Sequence, residues 1–156
     1  MPEITTRPAV LADHDVLLNF EEGIIVAERP LDETLKPGEI HYYDLAELIR
    51  NPDAHVVVAQ AGEELVGSGY ALLKPSIDYR THDVHAYLGF MYVKPSFRGR
   101  GINQLVLDDL IAWSKSRNVF EIQLEVYPNN EAAVRAYEKA GFQPNLLRMR
   151  LDARNL

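Results

Sequence analysis

The stretch "MYVKPSFRGRGINQLVLDDL", residues 91–110, puts Gly99 and Gly101 on either side of Arg100, with Arg98 just before them, directly ahead of a run of helix formers. Residues 82–93, "HDVHAYLGFMYV", read as a strand ended by Pro95. From Gly101 to about Arg117 the pattern is helical, with Ile102, Leu105, Val106, Leu110 and Trp113 as the apolar stripe. A helix N-terminus presents free N–H groups and a partial positive charge. Phosphates bind there when the backbone can come close, and glycine permits that approach. Strand, "RGRG", helix is therefore the context of an anion site. The dinucleotide fingerprint is excluded because Gln104 stands where its third glycine is needed, and the nucleoside-triphosphate loop is excluded because no G-K-[ST] follows.

Working outward, "EITTRPAV" reads as a short first strand, and "HDVLLNFEEGIIVAERP" as a helix with Val16, Leu17 and Phe20 on one side and Gly23 as a candidate break. "HYYDLAELIR" (41–50) repeats apolar residues at helical spacing and stops at Asn51-Pro52. "HVVVAQAGEELVGSGYALLK" reads as a hairpin turning at Gly62-Glu63. "FEIQLEVY" (120–127) is expected as a strand, residues 131–140 as a helix capped by Asn130 and ended by Gly141, and "LLRMRL" (146–151) as a last strand closing the sheet. The order is β, two helices, three strands, helix, strand, helix, strand. That predicts a mixed α/β (α+β) layer architecture over residues 1–156, a single domain without linker or repeat.

The chain has 156 residues, 47% of them hydrophobic and 25% charged, as in ordinary soluble globular proteins. It has no cysteine, which excludes disulfides, thiolate metal sites and cysteine nucleophiles. The net charge of −7 argues against general nucleic-acid binding. Residues 1–50 hold 11 acidic and four basic side chains, so the whole acidic excess sits in the first third. That is either a solvated helical surface or an electrostatic funnel for a cation. "MPEITTRPAV" lacks the pattern of a signal peptide and no apolar run approaches a membrane span, so a cytoplasmic protein is expected, with no membrane partner. His82 and His85 lack the further ligands a metal needs, and no metal is expected.

"YVKPSFRGRGI" resembles the V-x-P-x-x-R-G-x-G-I stretch of the GNAT N-acetyltransferase superfamily, whose [QR]-x-x-G-x-[GA] loop holds the pyrophosphate of coenzyme A. Asn103 departs from the family's usual glycine or alanine but keeps its backbone N–H. "NNEAAVRAYEKAGF" (129–142) resembles the family's later motif, with Asn130, Ala133, Tyr137, Lys139, Gly141 and Phe142 in register. Asn130, Val134 and Tyr137 share one helical face. The likeness covers about residues 56–151; the first 50 or so fit the acceptor region by order alone.

The resemblance implies a central, mostly antiparallel twisted sheet flanked by about four helices. It implies acetyl transfer from acetyl-CoA, used as acyl-donor cosubstrate, directly to an amine of a small molecule or protein, and the acidic first third favours a cationic amine. Carried onto this sequence, a backbone N–H near Met91 polarises the thioester, Tyr92 and Val93 line the pantetheine, and Arg98, Gly99, Arg100, Gly101, Ile102 and Asn103 hold the pyrophosphate. Asn130 and Tyr137 complete the cofactor site, with Tyr137 as general acid for the departing thiolate. For the base, His85 and Glu125 both lie on strands flanking the expected acyl site, and a water chain is the alternative. A non-catalytic acyl-CoA-binding or sensing domain is the competing reading, and homodimerisation, common in the family, stays open.

Overall fold

Strand β2 (Ala54–Ala61) buries Val56, Val57, Val58 and Ala59 together, so both of its faces are covered. A continuous β-branched run is what such a doubly covered strand requires. It pairs antiparallel with β1 (Ile4–Pro8) on one side and β3 (Glu64–Pro75) on the other. β3 pairs antiparallel with β4 (Val84–Val93), and β4 pairs parallel with β5 (Ile122–Leu124). The computed structural model describes residues 2–156. Among them the sheet has five strands in sequence order. The chain divides into two compact units, one ending at Glu125 and the other Val126–Leu156.

In the first unit, helices α1 (His14–Glu28) and α2 (Leu45–Arg50) cover one face of the sheet, packing Leu17, Phe20, Leu45 and Leu48 with Val56, Val58, Tyr70 and Phe90. Helix α3 (Ile102–Ser116) covers the other, through Ile102, Val106, Leu107 and Leu110. It can come this close because β3 is glycine there: a Cβ on Gly67 would stand 3.0 Å from Ile102 Cγ2, and one on Gly69 2.7 Å from Val106 Cγ1. α3 is also the crossover that makes β5 parallel to β4, as such pairing demands.

Several expectations shift. Gly23 does not break α1; Tyr92 packs on it, and a Cβ there would meet Tyr92 Cε2 at 2.6 Å. α2 begins at Leu45 rather than 41 because the Asp44 side chain caps it, accepting from Glu47 N–H at 3.1 Å. That leaves Tyr42 and Tyr43 in the preceding loop. On α3, Leu107 takes the core position expected of Leu105, which is 40% exposed. β5 covers only three residues of the expected 120–127.

In the second unit, helix α4 (Glu131–Lys139) starts where the Asn130 side chain accepts from Ala133 N–H at 3.3 Å. It stops at Gly141, whose φ of 107° suits glycine alone. The strand expected over residues 146–151 is not formed. Apolar composition supplies only propensity, and a strand exists only where a neighbour provides ladder bonds.

Candidate active site

The glycine loop leaves its backbone open at the start of α3. A 3-10 turn (Pro95–Phe97) ends β4, and Gly99 and Gly101 follow at φ 78° and 77°. That is the left-handed region, where a side chain costs about 1–2 kcal/mol. Nothing lies within 4 Å of either missing Cβ, so the space over the loop is open. Gly101 is the N-cap of α3 and supplies no capping side chain, so the first N–H groups of the helix are left without a side-chain acceptor. Arg98 Nε reaches back to the Val93 carbonyl at 3.3 Å, and the Arg100 guanidinium lies 4.8 Å from the Phe97 ring centroid.

One turn of chain upstream, β4 carries a bulge. Tyr70 pairs with Gly89 and Ser68 with Tyr92, so Gly69 alone faces both Phe90 and Met91. Phe90 has φ 58°, a conformation that costs a non-glycine residue about 1–3 kcal/mol and persists only where surroundings over-determine it. Here they do. The Phe90 ring is buried and packs against the Tyr43 ring, and its carbonyl accepts from Ser68 Oγ at 2.9 Å. β4 and β5 pair only from Ala86/Ile122 to Leu88/Leu124, so the two strands part as the bulge begins. Met91 therefore sits just past the point of separation, and Glu125 follows directly on the last paired residue of β5.

Around this separation stands a group of phenols. Tyr43, Tyr70 and Tyr87 form a chain of rings with centroids 5.5 and 6.4 Å apart, and Tyr43 lies 5.3 Å from Phe90. The Tyr87 hydroxyl donates to Glu125 Oε1 at 3.1 Å. Burial, then the Glu125 charge, pushes the Tyr70 phenol up to about 12, and the same causes drive Tyr87 well above its ordinary value. Tyr43 is raised too, mainly by burial and then by Tyr70. These phenols stay protonated and serve as donors, while the carboxylates accept. Glu28, at the end of α1, acts electrostatically on both Tyr43 and Tyr87; burial raises it above the usual carboxylate range, against the opposing effect of the Tyr42 phenol.

The loop that presents Tyr42 and Tyr43 is fixed from below. Glu21, 1% exposed, accepts from Tyr42 N–H at 2.9 Å and Tyr43 N–H at 3.0 Å, and pairs with His41 Nδ1 at 2.7 Å. A buried carboxylate with this set of donors is satisfied, and it holds the loop in one place.

His85 lies elsewhere. Its Nδ1 is 2.9 Å from Ser76 Oγ, which is also 2.7 Å from His82 Nδ1. Six positions along β4 separate it from Met91, roughly 20 Å at about 3.3 Å per residue. Burial, then His82 and Lys74, lower its pKa. Among the described residues no group of histidine, cysteine and carboxylate side chains could hold a metal ion. In the second unit, Asn130, Val134 and Tyr137 fall on one face of α4, with the Tyr137 ring 5.9 Å from Phe142.

The sequence profile of the acetyltransferase (GNAT) family matches residues 22–142, which span the glycine loop, the bulge and α4. The chain belongs to the GNAT acetyltransferase family. Its relatives include N-alpha-acetyltransferase RimI of Mycobacterium tuberculosis, 33% identical over 105 residues; the alignment spans 65% of this chain and 60% of that protein. The GNAT fold is also that of solved structures at lower identity. A tetramutant of the BH1408 protein of Bacillus halodurans superposes with a TM-score of 0.83 at 20% identity, covering 95% of this chain and 99% of that one. A predicted acetyltransferase of Clostridium acetobutylicum with acetyl-CoA gives 0.73 at 20% identity, covering 96% of each. No helix among the described residues of this GNAT chain is long and apolar enough to cross a membrane.

The grouping of Tyr43, Tyr70 and Tyr87 around the bulge was not read from the sequence of this GNAT chain. A signal was present in the glycines facing it. Gly89 is glycine because the Tyr70 ring lies against it, at 2.7 Å from where its Cβ would be.

Proposed function

We propose that the protein transfers the acetyl group of acetyl-CoA directly to an amine. The observation that carries this reading is the joint placement of a left-handed Gly99/Gly101 loop at the N-terminus of α3 and a bulge at Phe90–Met91 where β4 leaves β5. The main-chain N–H groups of residues 98–103 would receive the diphosphate, and Met91 to Val93 would pair with the pantetheine arm along β4. The Met91 N–H would donate to the thioester oxygen as negative charge develops there; one such fixed donor is worth about 3–4 kcal/mol of barrier.

The amine nitrogen forms its bond to the thioester carbon, the carbon–sulfur bond breaks, and the sulfur leaves as thiolate. Glu125 takes one proton from the incoming ammonium; Tyr137 gives a proton to the departing sulfur and is restored by the second proton that the nitrogen loses as the amide forms, each transfer worth roughly 10²–10⁴-fold. Glu125 is preferred to His85 as base because Glu125 adjoins the strand separation and His85 is held by Ser76 far along β4. The acidic first third supports a cationic acceptor.

The test is thiol release from acetyl-CoA against a panel of amines, with Glu125→Gln and Tyr137→Phe beside the wild type. Turnover that falls about a hundredfold in either variant, with coenzyme A affinity kept, supports the reading. Coenzyme A binding without transfer to any amine would make this a binding or sensing domain instead.

A further inference from the structure

The segment between α1 and α2 is held at three points, and only one of them can lose a proton near neutrality. Arg29 donates to the Lys36 carbonyl at 2.8 Å and to the Gly38 carbonyl, and its charge persists at any ordinary pH. Asp44 caps α2 and accepts from Glu47 N–H. Between them, residues 39–43 rest on Glu21 of α1, which is 1% exposed. Its Oε2 takes the Tyr42 and Tyr43 N–H groups at 2.9 and 3.0 Å, and its Oε1 lies 2.7 Å from His41 Nδ1. The other ring nitrogen of His41, Nε2, lies 3.2 Å from Glu39 Oε1. Both nitrogens therefore face carboxylates, and only an imidazolium donates from both. Among the described residues, Glu21 and Glu39 are the charged groups paired with the imidazole, and His41 is the one cation paired with Glu21. The His41 side chain is half-exposed, so water reaches its proton.

We propose that protonated His41 is a positioning residue for the amine, so that acetyl transfer weakens as the imidazole loses its proton. The effect on transfer rests on the acetyltransferase reading above; the latch itself does not. The Tyr43 ring lies 5.3 Å from the Phe90 ring and 5.5 Å from Tyr70. Phe90 holds the left-handed conformation of the bulge, and such a conformation lasts only while its neighbours enforce it. With His41 protonated, the buried Glu21 carboxylate has a counter-charge and keeps both tyrosine N–H groups in place. With His41 neutral, one of the two imidazole contacts is lost and Glu21 is a buried charge without a cation, which is costly. Residues 39–43 then loosen between the fixed points at Gly38 and Asp44, and Tyr43 withdraws support from Phe90, beside the place where the amine arrives. Glu21 first, and then Glu39, raise the His41 pKa above its ordinary 6.5. The latch is therefore closed below about 6.5 and opens as pH climbs through the raised folded value.

Two readouts on the full chain test this. The first is kcat/KM for one amine, in the wild type and in His41→Asn, from about pH 6 to about pH 9. The titrations of the amine and of Glu125 are common to both proteins and cancel in the ratio. The wild type is expected to exceed His41→Asn severalfold to about tenfold at the acid end, the scale of one charge-assisted contact, and to converge on it at the alkaline end. His41→Lys, cationic across the range, should stay above His41→Asn at the alkaline end. The coenzyme A Kd should not follow the ratio. The second readout needs no turnover. The Tyr42 and Tyr43 amide signals in NMR spectra should shift along with the titration of the His41 ring, and Glu21→Gln should abolish that coupling. Melting curves show which variants are folded. A ratio of one throughout, or a ratio constant with pH, overturns the proposal, as do tyrosine amides that ignore the His41 titration. Absence of thiol release with every amine overturns the acetyltransferase reading and with it the effect on transfer, while the amide signals still decide the latch.

Discussion

Gly89→Ala is the substitution whose effect follows most directly from distances in this structure. A Cβ at position 89 would lie 2.7 Å from both Cζ and Oη of Tyr70 and 3.0 Å from Cε2. Contacts that short do not persist, so something must move. The Tyr70 ring is only 6% exposed and is flanked by Tyr43 and Tyr87, which limits its retreat. Overpacking of this kind costs about 1–3 kcal/mol. For a chain of this size each kcal/mol lowers the melting temperature by roughly 2–4 °C, a fall of about 2–12 °C in all. The displaced ring lies beside the bulge, where the proposed reaction puts the incoming amine, and not in the glycine loop. The KM for the amine should therefore rise severalfold while the coenzyme A Kd stays at its wild-type value. Thermal melting, calorimetry and thiol release read the three quantities separately. Tyr70→Val in the same chain should recover part of the lost stability, since the two changes share a contact. A Gly89→Ala protein that melts with the wild type and keeps its KM would refute the claim that these rings are fixed.

Other outcomes follow from the same geometry. Ser68→Ala removes the buried hydroxyl from the Phe90 carbonyl and should cost about 1–3 kcal/mol in denaturant unfolding. It should lower kcat more than it weakens coenzyme A binding, because the bulge positions the Met91 N–H. Glu21→Ala strands the Tyr42 and Tyr43 N–H groups and should raise the amine KM; a change confined to stability would show that the loop holds its place unaided. His41 is raised above its ordinary 6.5, first by Glu21 and then by Glu39. Its pairing stabilises the fold fully below about 6.5 and is lost as pH climbs through the raised folded value. Melting temperature should accordingly drop over that climb, and His41→Asn should flatten the drop.

Much of this was legible from the residues alone because it depends on local chemistry. Gly99 and Gly101 before a helix mark a turn where the backbone can come close to an anion, and Asn130 and Gly141 bracket α4 as cap and terminator. What escaped depends on contacts between segments distant in sequence. Gly23 reads as a break until Tyr92 is seen to occupy its missing Cβ. Tyr42 fits a helical period, and only the Asp44 cap and the buried Glu21 make it and Tyr43 loop residues. His85 shares an alternation face with Met91, but pairing along a strand carries no limit on distance, and Ser76 claims it. The short β5 is set by the bulge on its neighbour rather than by its own composition.

The central claim is that backbone amides around Gly99 and Gly101 receive a diphosphate. It is tested most directly by the Kd of coenzyme A for the wild type and for Gly101→Val, measured by calorimetry on proteins whose melting curves show both to be folded. A β-branched residue is strained at φ 77° and would fill the open space over the loop. A loss of affinity on the order of tenfold or more is the expected result, the scale of one charge-assisted hydrogen bond. Unchanged affinity in the variant, or no binding by the wild type, would contradict the account.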